Sequence, residues 1–162
     1  MISHRAVALL LIVTVAAASA CAPREAPAVQ KELELGPHRL QVSAPAGWDV
    51  LDQGAQKRFR KGEADIVLQN LGKVDWEPAL ASLQDDRRRE VKSRRTLTID
   101  NHDAIDIETW NRLDHSWPQR LLFIRADDDL LAIHTTRMAD ADTVKAFESI
   151  RESLHLPASV RR

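Results

Sequence analysis

One cysteine, Cys21, stands in 162 residues. A single cysteine allows no internal disulfide, so a fold must be held by its apolar core alone. No charge of one sign dominates: 23 Lys+Arg face 24 Asp+Glu, a formal net charge of −1. Without a basic surplus there is no electrostatic case for nucleic acid. Long apolar runs are scarce. Ala6 to Ala18 is apolar apart from Thr14, and as a helix it would reach only about 20 Å, short of the roughly 30 Å hydrocarbon layer. No later segment is apolar enough to span a bilayer. The chain has no H-E-x-x-H zinc pair, no G-x-S-x-G nucleophile turn and no D-x-D-x-D-G calcium loop. It has no internal repeat and no low-complexity block. These absences predict no cofactor, no metal and no catalytic residue. A hydrolase whose serine, histidine and carboxylate meet only in space stays open as an alternative.

What is present begins with an address. Met1 to Arg5 is short and polar, the apolar run follows, and Ala18-Ser19-Ala20 is a small-residue cleavage site. Residues 1–20 therefore read as an export signal. Ala-Ser-Ala-Cys also resembles a bacterial lipobox, which would lipidate Cys21 as the new first residue. The alternative is a soluble exported protein with a free thiol. The resemblance implies two or three acyl chains on Cys21, hence a firm anchor, since one chain alone holds only marginally. Ala22, in place of aspartate, implies the outer membrane of a Gram-negative cell, facing the periplasm. Residues 21–30 contain two prolines and little that packs, so they are expected to form a tether of at most about 30 Å. The folded domain is expected over 31–157, with a frayed tail at 158–162.

Strand signals open that domain. "KELEL" and "HRLQVSA" flank the turn "GPH"; "WDVLD" follows Pro45-Ala46-Gly47; "KRFR" and "ADIVLQNL" flank "KGE". A first helix is expected from an N-cap at Asp75 to about Ser93, with Trp76, Ala79, Leu80 and Leu83 on one face. Four strands follow: "TLTI", "AIDIETWNRL", "QRLLFIRA" and "LLAIHTTR". Runs such as "LLFI" and "LLAI", apolar on both faces, predict central strands. A second helix begins near Asp140 and carries Val144, Phe147, Ile150 and Leu154 at helical spacing. The predicted class is α+β: a largely antiparallel sheet with its faces covered by two helices.

"VSAPAGWDV" resembles the Pro-x-Gly-Trp opening of PsbP-like α-β-α sandwich domains, and the later order of elements is similar, down to "LLAIHTTR" and "FESIRESLHL". The resemblance covers about residues 33–157. It implies a domain that binds or stabilises other proteins, as photosystem accessory proteins, a Ran-binding protein and many bacterial lipoproteins do. It transfers no functional residue.

Three groups are singled out. Trp48 is either a ligand platform or a core plug. Arg87, Arg88, Arg89, Lys92, Arg94 and Arg95 form a basic cluster that could hold anionic polymers or lipid head groups. The bland reading is a solvated helix end, paired by Asp85 with Arg89 and Glu90 with Arg94 at i,i+4. Trp110 and Trp117 are either interface aromatics or rings buried under a helix. His134 reads as a satisfied core histidine. The expected role is a lipid-anchored, non-enzymatic module for another envelope protein. The alternative is an anion binder working through Arg87–Arg95.

Overall fold

The computed structural model describes residues 28–83, 89–115, 118–135 and 140–157. Strands β1 (Val29–Leu35) and β2 (His38–Ala44) make a hairpin of their own. The remaining strands are β3 (Asp49–Gln53), β4 (Gln56–Lys61), β5 (Ala64–Asn70), β6 (Arg89–Ile99), β7 (His102–Asn111), β8 (Gln119–Ala126) and β9 (Asp129–Thr135). They form one antiparallel sheet in the order β3-β4-β5-β9-β8-β7-β6. Helix α1 is Trp76–Leu83 and helix α2 is Ala141–Ser153.

The alternation of each central strand sorts its side chains between two cores. Leu122, Ile124, Leu131 and Ile133 join one cluster with Phe59, Ile66 and Leu68. Over them lie the β1–β2 hairpin, through Leu33, Leu35, Leu40 and Val42, and α2, through Ala146, Phe147 and Ile150. The out-of-phase residues Leu121, Phe123, Leu130 and Ala132 join Ile105 and Ile107 on the other face, where Ala79 and Leu80 of α1 pack. The apolar runs of β8 and β9 thus feed both clusters, one from each face. Trp48 is 9% exposed and belongs to the first cluster, so the Pro45–Trp48 turn delivers a core plug. Asp140 caps α2 by accepting from the Thr143 backbone N–H at 2.7 Å.

Two expectations need correction. The first helix does not run to Ser93: α1 ends at Leu83, and Arg89 onward is strand. Opposite charges across the β6–β7 ladder override the helical propensity of this Arg- and Glu-rich stretch, as Arg95 meets Asp106 and Lys92 meets Glu108. The i,i+4 pair of Glu90 and Arg94 is consequently absent, since the two residues point to opposite sides of a strand; Asp85 lies outside the described residues. The folded domain starts before residue 31, because β1 begins at Val29, inside the expected tether, and its register pairs Val29 with Ala44. The β6–β7 turn is made by Asp100 and Asn101, both at positive φ (48° and 66°), and His102 already belongs to β7. Two successive residues of this type at positive φ give the twist a tight hairpin requires.

Candidate interaction site on the β6–β7 edge

β6 is an edge strand, and it carries four of the singled-out basic residues, Arg89, Lys92, Arg94 and Arg95. Among the described residues it has one strand neighbour, β7. A register shift between Val91 and Ser93 makes Lys92 a bulge residue. Charge and a bulge are common guards for an exposed edge.

The basic residues are not free charges. Lys92 donates to Glu108 at 2.8 Å, Arg94 to Glu77 of α1 at 2.6 Å and Arg95 to Asp106 at 2.8 Å. Arg89 reaches the Thr109 hydroxyl at 3.4 Å. Arg87, Arg88, Trp117 and Cys21 lie outside the described residues.

The structure brings Trp110 into this cluster. Trp110 sits opposite Glu90 in the ladder, and its indole N–H donates to Glu90 Oε1 at 2.7 Å. The Lys92 ammonium lies 5.1 Å from the indole centroid, a cation–π distance. His115 stacks on the ring with centroids 4.2 Å apart. Trp110 is half-buried, and its described ring contacts are with residues of its own edge and turn rather than with a helix. Burial under a helix is corrected accordingly. The following turn is built by Asn111, whose side-chain oxygen accepts from the Leu113 N–H at 3.0 Å while its carbonyl accepts from the His115 N–H at 2.9 Å. That turn thrusts Leu113 into solvent at 81% exposure; Val91, opposite Thr109 in the ladder, is 43% exposed.

A second cluster fixes the scaffold behind this edge. Asp106 is 3% exposed and meets three guanidinium groups: Arg95 at 2.8 Å, Arg120 at 3.2 Å and Arg151 at 2.8 Å. Glu148 of α2 binds Arg120 at 2.8 Å and also pairs with Arg151. The carboxylate thus joins the edge strand, β8 and α2.

Sequence reasoning missed one buried polar group and misjudged another. At one end, His38 Nε2 lies 3.0 Å from Asp129, which also accepts from Asn70 at 2.9 Å. The Asn70 bond, helped by His38, holds the Asp129 carboxyl below its usual range against the effect of burial. On the α1 face, His134 is 9% exposed, yet among the described residues its Nδ1 has no hydrogen-bond partner of good geometry. Gln69 Oε1 accepts from Gln56, so the Gln69 amide N–H₂ is what faces His134 Nε2, at 3.4 Å. His134 is a core histidine, but not a satisfied one. Only its place in an apolar run hinted at this. Burial pushes its pKa below the usual range, the Thr135 backbone opposes that shift, and the Arg58 charge adds to it.

The sign of the resulting pH dependence is fixed. The folded state binds the His134 proton less readily than the unfolded chain, whose reference value is 6.5. Stability from this residue is complete above that value and falls as pH drops below it. His134→Gln should flatten the slope of unfolding free energy against pH below 6.5, measured by urea titration at several pH values. An unchanged slope would contradict a buried neutral imidazole.

No protein-family model matches the chain, and no curated protein matches it. Solved structures do. The chain is similar to cyanobacterial PsbP (CyanoP) from Synechocystis sp. PCC 6803, with a TM-score of 0.56 and 15% identity over 86% of this chain and 99% of that one. A looser likeness, to PA94 from Pseudomonas aeruginosa, has a TM-score of 0.39 and 13% identity over 76% of this chain and 91% of that one. The second carries no weight. The first shows the architecture: the fold is PsbP-like. At that identity it shows the fold alone.

Proposed function

We propose that this chain is a non-enzymatic accessory module, anchored by lipid on Cys21 to the envelope, that binds another envelope protein through the β6–β7 edge. The observation that carries the reading is Leu113, 81% exposed on the Asn111 turn that follows half-buried Trp110. An apolar tip with a charged rim is the surface expected of a protein contact. A sandwich with a helix over each face belongs to the same proposal; Ala79 and Leu80 of α1 support it on the second face. Anion binding through Arg87–Arg95 has less support, because Lys92, Arg94 and Arg95 already have carboxylate partners. The hydrolase alternative has less still. The described histidine–carboxylate contacts are His38–Asp129, His115–Glu90 and His155–Asp100, and the described bonds of Ser43 and Ser153 do not reach them.

A photo-crosslinker placed at Leu113 in intact cells should capture a different envelope protein, and one at Gln53 on the opposite edge should not. Trp110→Ala should weaken the capture. Equal capture at both positions, or none at Leu113, would sink this reading. Cys21→Ser followed by membrane fractionation tests the anchor separately: release into the soluble fraction is expected.

A further inference from the structure

Glu90 holds the turn that carries Leu113. Its Oε1 accepts from the Trp110 indole N–H at 2.7 Å and lies 3.6 Å from His115 Nε2. Its Oε2 lies 3.7 Å from Arg112 Nε. One carboxylate of β6 thus faces the residue just before Leu113 and the second one after it. Of its three partners, the indole and the guanidinium keep their charge state at ordinary pH, whereas an imidazole changes charge between about pH 5 and 8.

His115 stacks on Trp110 with 20° between the ring planes. A neutral imidazole gains only that stacking. An imidazolium gains an ion pair with Glu90 and a cation–π contact with the indole face as well. The charged groups that the described contacts place around the two rings are Glu90 and Lys92 from β6 and Arg112 from the turn, with Asp114 next in the chain. Lys92 and Arg112 oppose a new positive charge. Lys92, however, is already held by Glu108 at 2.8 Å, and the Arg112 side chain is 62% exposed and screened by water. The balance favours the protonated ring in the docked position.

We propose that the Leu113 tip is a pH-responsive element: proton uptake at His115 fastens it to β6 through Glu90 and Trp110, and proton loss loosens it. The contacts are exposed, His115 at 59% and Glu90 at 35%, so the fastened population changes by roughly threefold to tenfold. The sign is opposite to that of His134, whose contribution to stability declines in acid. For partner binding, this inference rests on the reading of the tip as the contact surface. A tip already held in its binding shape loses less freedom on contact, so capture strengthens as pH falls.

The tip can be followed with no partner present. The Trp110 indole proton is the one donated to Glu90, so its hydrogen exchange reads the fastened state. Measured by NMR on the full chain and assigned through Trp110→Phe, exchange should be slower in the unchanged chain than in His115→Gln. That ratio should grow roughly threefold to tenfold between about pH 8 and about pH 5.5. Comparing the two chains at each pH cancels the intrinsic pH dependence of exchange and the titration of His134. Glu90→Gln keeps an acceptor for the indole but removes the charge, and in that background the ratio should stay constant. A ratio that does not grow in the native background, or grows equally with Glu90→Gln, would overturn the proposal. Capture by the Leu113 photo-crosslinker in isolated envelopes should rise over the same pH range for the unchanged chain and not for His115→Gln. Equal capture at both pH values would remove the regulation and leave the contact surface standing. No capture at either would remove the contact surface, while the exchange ratio still decides the pH response.

Discussion

Asp106→Ala should destabilise the fold by about 3–5 kcal/mol, the cost typical of removing one partner from a buried ion cluster. The residue is 3% exposed and meets Arg95, Arg120 and Arg151. Its loss leaves the 11%-exposed Arg120 and 20%-exposed Arg151 side chains facing each other with only Glu148 as a shared counter-charge. Arg95→Ala is the internal control. That side chain is 65% exposed, so its pairing is screened and should contribute at most about 1 kcal/mol. Urea unfolding of both variants measures the difference. If Asp106→Ala cost no more than Arg95→Ala, the cluster would not be holding α2 to the sheet.

Phe147→Ala should cost about 3–5 kcal/mol by lost transfer energy and the cavity left behind. Phe147 is fully buried in α2 and sits where the helix, the β1–β2 hairpin and the seven-stranded sheet share one core. Its ring also lies 5.4 Å from the Arg120 guanidinium, so it shields the ion cluster from water. The two substitutions share Arg120 as a neighbour. Their effects should therefore be non-additive in a double-mutant cycle, with a coupling of roughly 0.5–3 kcal/mol. Additivity within about 0.5 kcal/mol would show that packing and charge act independently here.

How much of this was legible in the sequence depends on the type of signal. Strict alternation and two-face apolar runs placed β2, β5, β8 and β9, because burial on a pleated surface fixes their period. The Asp140 cap and the Phe147–Ile150 spacing placed α2. "RRREVKSRR" misled because its residue types suit a helix, whereas its conformation is decided by Asp106 and Glu108 on a neighbouring strand. No local pattern encodes a cross-strand partner. The site was legible in part for the same reason. Trp110 and the basic stretch were each visible, but their meeting depends on the β6–β7 register. His134 was visible as a polar residue in an apolar strand. Its unspent Nδ1 emerges only once Gln56 and Gln69 are known to be its neighbours.

The β1–β2 hairpin belongs to neither edge of the large sheet, and the anchor proposed at Cys21 would pull on the chain just ahead of Val29. Tension arriving there loads the Val29–Ala44 end first and peels the ladder rung by rung toward Gly36, the least resistant direction for two antiparallel strands. Freeing the seven residues of β1 would lengthen the leash by roughly 24 Å. With such an anchor the hairpin would take the load first, and Leu33 and Leu35, buried in the core it shares with the main sheet, would set how far the peel runs.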